Sequence, residues 1–96
     1  MPAILLDSVV TASTQQVAAV LGDEVIILGL DDGAYFGLRG VGARIWDLIK
    51  RPMRLRDVAD VIVAEFAVDR ERCERDLLAF AESLQRRQLI EVVPRA

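Results

Sequence analysis

The sequence predicts an α+β domain, a three-stranded antiparallel β-meander followed by three α-helices. Two observations carry this reading. Turn-forming residues cut the first half into short apolar runs, and from Val41 onward the hydrophobic period changes from two residues to about 3.6. At 96 residues and 53% apolar content the chain has material for one modest core, so residues 1–96 are expected to form a single domain.

Residues 16–21, 25–30 and 34–38 read as the strands, joined by Gly22-Asp23 and Asp31-Asp32-Gly33. Aspartate bonds local amides and glycine accepts positive φ, so both junctions are tight turns and the middle strand lies at the centre of the meander. The first and third strands are then its edges. Val25-Ile26-Ile27-Leu28 is apolar on both alternating faces, which calls for a cover on each. Helices supply one. Residues 1–15, read as a flexible or covering arm, are expected to supply the other through Ile4-Leu5-Leu6, a partner molecule being the alternative.

Val41, Ile45, Trp46, Leu48 and Ile49 recur at helical spacing, and Arg51-Pro52 stops that first helix because proline disfavours helix in the residue before it. Leu55, Val58, Ala59, Ile62, Val63 and Phe66 form one continuous stripe for a second helix. Asp69 is placed to cap a third, with Val68 and Cys73 spaced as a hydrophobic staple. Leu77, Phe80, Ala81 and Leu84 carry its core stripe, while Arg70–Glu74 and Glu71–Arg75 are i,i+4 pairs on its wet face. Residues 90–93 fit either a last strand or an extended tail, and Pro94 stops them.

The residues offer little to an enzyme. There is no histidine, so the commonest general base and transition-metal ligand are both missing. Cys73, the only cysteine, has no base to activate it, and Lys50, the only lysine, falls at a helix end. Asp31 and Asp32 supply too few oxygens for a cation loop, and Gly33, Gly37, Gly40 and Gly42 lack P-loop spacing. No enzymatic activity, cofactor or metal is expected. One cysteine forbids an internal disulfide, which suits a reducing cytoplasm, and the apolar start broken by Asp7 is too short for a signal peptide or a membrane span.

A net charge of −3 lacks the footprint of a protein that binds phosphate backbones. Lys50, Arg51, Arg54 and Arg56 do cluster at the first helix–helix turn, so a DNA-binding winged helix stays as a rival reading. Against it, the third helix carries Glu71, Glu74, Asp76 and Glu82 among its arginines. A plain dimerisation domain pairing the exposed edges of two copies is a further rival.

The aspartate-rich turn, Gly33-Ala34-Tyr35-Phe36-Gly37-Leu38 and Val41-Gly42-Ala43-Arg44-Ile45-Trp46-Asp47-Leu48-Ile49 together resemble the pyrroloquinoline quinone synthesis protein D family. The likeness continues through 55–66, Val68-Asp69, 76–80 and Gln88-Leu89-Ile90, and so covers roughly residues 16–92. It implies a winged helix-turn-helix-like domain that binds the leader segment of a ribosomally made precursor peptide and presents it to a radical or other maturation enzyme, or to a leader peptidase. Two pathways fit a free-standing recognition domain, lasso-peptide biosynthesis and quinone-cofactor biosynthesis, and the first is preferred. The chain departs from the family at Arg39-Gly40, where Asn-Glu is usual, and at Arg54, where a threonine caps the second helix.

Carried over by position, the resemblance places Ala34, Tyr35, Phe36 and Gly37 on the strand that pairs with the leader. It places Arg72, Cys73, Asp76, Leu77 and Phe80 on the helix that closes the groove. The expected mechanism is β-augmentation, in which an added strand bonds through its main chain and pockets set its register. Asp76 has an equal claim as an ion-pair partner of Arg72. Of Tyr35 and Phe36, which alternate, one is expected in the core and the other in the groove.

Overall fold

In a computed structural model, which describes residues 2–94, the chain runs β1 (Val9–Ala12), β2 (Gln16–Leu21), β3 (Glu24–Gly29), β4 (Tyr35–Leu38), α1 (Gly40–Leu48), β5 (Met53–Arg54), α2 (Leu55–Phe66), α3 (Arg70–Arg86) and β6 (Ile90–Val92). The meander and the three helices are as the sequence reads, and the fold is of the winged helix-turn-helix type. Gly22 and Gly33 take φ of +66° and +68° at the two turns, conformations that would strain a side chain. β3 lies between β2 and β4, antiparallel to both.

Val25, Ile27 and Leu38 line the buried face of this sheet and meet Ile45, Trp46 and Ile49 of the first helical segment. Trp46 is among the largest fully buried side chains. Truncating a buried aromatic of this size costs about 3–5 kcal/mol, a large share of the ~5–15 kcal/mol that holds a small domain together. The stripe of α2 joins the same core through Leu55, Val58, Ala59 and Ile62, and that of α3 through Cys73, Leu77, Ala81 and Leu84. Asp69 caps α3 as its spacing predicts, accepting the Arg72 backbone N–H at 2.9 Å. Of the two paired charges on that helix, Arg70 and Glu74 meet at 2.9 Å, and no ion pair forms between Glu71 and Arg75.

The amino-terminal segment behaves differently from the covering arm expected of it. β1 is the centre of a second sheet, ordered β5-β1-β6, with Val10 opposite both Met53 and Val92. Ile4 and Val10 enter the common core, whereas the outer face of the meander keeps Val17, Leu21, Leu28 and Tyr35 exposed. Met1 of that segment lies outside the described residues. The segment also completes α2. Arg54 provides no side-chain cap, but the Leu55 and Arg56 N–H groups donate to the carbonyls of Ser8 and Leu6 at 3.0 and 2.8 Å. A helix start that looks frayed in sequence is therefore satisfied from the chain's own beginning.

Candidate functional site

Two neighbouring features make up the site, an open strand edge and an apolar groove. β4 has β3 on one side and, among the described residues, nothing on the other. The Gly29 N–H donates to the Ala34 carbonyl at 2.9 Å, which makes those two a hydrogen-bonded pair, and pairs alternate along an antiparallel ladder. Phe36 and Leu38 therefore bond to Ile27 and Val25, while the N–H and C=O of Tyr35 and Gly37 point outward. These are the groups an added strand would engage.

Ala34 is not among them. It precedes β4, its carbonyl serves the hairpin, and its N–H donates to Asp32 Oδ1 at 2.9 Å. The Asp-Asp-Gly turn that makes the hairpin so legible is also what removes Ala34 from the edge.

The alternation separates the two aromatics, though not into core and groove. Phe36 packs against the core, with the Arg87 guanidinium 4.1 Å above its ring. Tyr35 is exposed on the opposite face of the sheet, away from α3. A Cβ on Gly37, on that outer face, would lie 2.9 Å from Glu24 Oε2, the end of a flexible side chain that pairs with Arg39 at 3.3 Å, so only that carboxylate would have to shift.

The groove, about 550 Å³, runs along α3. Arg72, Cys73, Asp76, Leu77 and Phe80 all line it, so the five helix positions that the family resemblance singles out lie together. Its other wall was not foreseen: Val41, Gly42 and Ile45 come from α1 and Ile62 from α2, with Val68 and Asp69 at one end. Gly42 carried the available signal, since a small residue among the apolar positions of a helix marks a place where something approaches closely. A Cβ on it would touch Leu38 Cδ2 at 3.6 Å and Phe80 Cζ at 3.8 Å, so strand edge and groove meet at this point.

The charge of the groove is sparse and near its rim. Arg72 and Asp76 form a loose pair at 3.7 Å with both side chains well exposed, and Asp69 is engaged as a cap. Burial pushes the Cys73 thiol above its ordinary pKa, with Arg70 opposing, so it is a weak nucleophile at neutral pH. No group of three or more metal-ligating side chains occurs among the described residues, and no helix among them is long and apolar enough to cross a membrane. At the first helix–helix turn Lys50 pairs with Asp47 at 3.4 Å and Arg56 with Asp7 at 3.1 Å, which spends part of the basic cluster on local acids.

Residues 24–90 match the profile of the family described as coenzyme PQQ synthesis protein D. The chain belongs to the PqqD family. As a PqqD-family protein it shares its fold with a solved structure described as TbiB1 in complex with the TbiA(beta) leader peptide, at 41% identity over 88% of this chain and 99% of that one, with a TM-score of 0.80. A second structure, described as lasso peptide synthetase B1 complexed with the leader peptide, has the same fold at 24% identity, covering 88% and 98%, with a TM-score of 0.75. Among curated proteins nothing matches.

Proposed function

We propose that this PqqD-family chain captures the leader segment of a ribosomally synthesised precursor peptide as an added strand on β4 and delivers it to a partner enzyme. The observation that supports this most is the junction at Gly42, where an edge with two outward-facing residues runs into an apolar groove. Main-chain bonds to Tyr35 and Gly37 hold the leader without regard to its sequence, and side chains pressed against Leu77, Phe80 and Cys73 set its register. Arg72 and Asp76, at the exposed rim, act on selectivity more than on affinity. The role is recognition, carried out in the cytoplasm.

Identity of 41% to a protein solved with a leader peptide supports the same class of ligand here. We place the chain in a lasso-peptide pathway, with a leader peptidase or a maturation enzyme as its recipient. The alternative that the family description suggests is a quinone-cofactor precursor.

Fluorescence-anisotropy titration tests this directly, with labelled TbiA(beta) leader and the leader half of any precursor peptide found encoded near this chain as probes. At least the cognate leader is expected to bind at low micromolar to nanomolar Kd, roughly −8 to −12 kcal/mol. Its core half should add little. Absence of binding by both leaders at high micromolar protein contradicts the proposal.

A further inference from the structure

Among the described residues the meander has a second open edge, on the side away from β4. The Leu30 N–H donates to the Gln15 carbonyl at 3.0 Å, which fixes the ladder between β2 and β3: Val17, Ala19 and Leu21 bond inward, and the backbone groups of Gln16, Ala18 and Val20 point to solvent. Side chains of β2 are exposed on both faces. Val17 at 57% and Leu21 at 63% are on the outer face, and Val20 at 65% is on the helix side. Residues 8–22 contain no charge, and neither lysine, proline nor bulge blunts the strand, although small soluble proteins normally protect such an edge.

We propose that β2 pairs with the same strand of a second copy of this chain, antiparallel about a two-fold axis that passes between the two Ala19 residues perpendicular to the sheet. This goes beyond leader capture, because each copy keeps its β4 edge free. Three features favour a second copy as the occupant. The outward-facing Ala18 and Val20 can exchange backbone bonds with Val20 and Ala18 of the partner subunit, a register that sets Val17 opposite the partner's Leu21. Every side chain so matched is apolar.

Charge agrees with it too. The acidic turn residue Asp23 falls opposite the partner's Gln15, an uncharged donor, so two molecules each of net charge −3 meet without opposed carboxylates. There is also clearance. Ala18 and Val20 are exposed because the helices do not extend beneath β2, so the helical layers of the two copies stay apart. One strand pair falls short of the ~800 Å² per partner of a standard interface, which makes this a weak, concentration-dependent association.

Sedimentation equilibrium of the full chain under reducing conditions, from about 10 µM to about 1 mM, tests the proposal. The weight-average mass is expected to climb from 10.6 kDa toward twice that value. Ala19→Lys, which puts two ammonium groups together at the axis on an exposed position, should hold the chain monomeric. Under oxidation Ala19→Cys should give a disulfide-linked dimer, since facing residues of a non-bonded pair lie about 4.5 Å apart, within disulfide reach. Thr14→Cys should not. Both position-19 variants should bind leader within about twofold of the parent, which separates this test from that of leader capture. A mass of 10.6 kDa throughout, or a dimer that survives Ala19→Lys, overturns the proposal and leaves the edge to a different protein.

Discussion

Asp32 Oδ1 accepts the backbone N–H of Ala34 at 2.9 Å, and this bond moves the usable edge of the hairpin one residue along the chain. Proline substitution can exploit the offset. Ala34→Pro should cost about 1 kcal/mol of stability by breaking the turn bond, while leader affinity changes little. Tyr35→Pro removes an outward donor at the first residue of β4, where the ladder to β3 has no bond to lose. Leader binding should weaken tenfold or more with helical content unchanged, read by anisotropy and circular dichroism on the same samples.

Gly42 gives a second probe, at the junction of edge and groove. Its missing Cβ would make only ordinary contacts with Leu38 and Phe80, so Gly42→Ala should fold normally and bind nearly as well. A longer side chain there extends into the groove. Gly42→Leu is expected to reduce leader affinity at least tenfold while thermal unfolding moves by only a few degrees. Equal binding by all three proteins would mean that the leader does not reach α1.

Cys73 reports on occupancy. With its pKa raised by burial and its exposure only 9%, the thiol should react slowly with iodoacetamide at neutral pH and faster as pH rises, because the thiolate is the reactive form. Bound leader should slow the reaction further, as the residue lines the groove. Cys73→Ser should retain binding within a small factor. A large loss of binding in a well-folded Cys73→Ser protein would make the thiol a dominant contact rather than one apolar wall residue among several.

The DNA-binding rival makes a contrary forecast. With α3 carrying Glu71, Glu74, Asp76 and Glu82, and Lys50 and Arg56 already paired, the chain should not be retained on random duplex DNA near physiological salt. Replacing Lys50, Arg51, Arg54 and Arg56 together should leave leader binding nearly unchanged. Micromolar DNA affinity that declines steeply with added salt would favour the rival.

What could be read from the residues was whatever their local chemistry decides. Gly22-Asp23 and Asp31-Asp32-Gly33 mark the hairpins, the stripe from Leu55 to Phe66 gives the bounds of α2 and is buried through Ile62 before running out to an exposed Phe66, and Asp69 caps α3. The second sheet was missed because it depends on distant pairing. β5 is only two residues long and follows a proline, and β1 meets partners more than forty residues away. Val9-Val10-Thr11 was the visible hint, three β-branched residues in a row. In the candidate site, the family resemblance points to five residues of α3 that share one groove, whereas the opposite wall from α1 and α2 requires the tertiary fold. Ala34 leaves the edge for a local reason, its bond to Asp32, and neither aromatic lines the groove, because Phe36 turns to the core and alternation sends the Tyr35 side chain to the outer face while its backbone stays on the edge.

Residue-resolved amide hydrogen exchange with and without the cognate leader tests strand addition on β4 most directly. In the free protein the Phe36 and Leu38 amides should already be protected by β3, while those of Tyr35 and Gly37 exchange quickly. Bound leader should slow exchange at Tyr35 and Gly37 and leave Ala18 and Val20 of β2 as they were. Protection gained at Ala18 and Val20, or at no strand residue while the leader is bound, would contradict it.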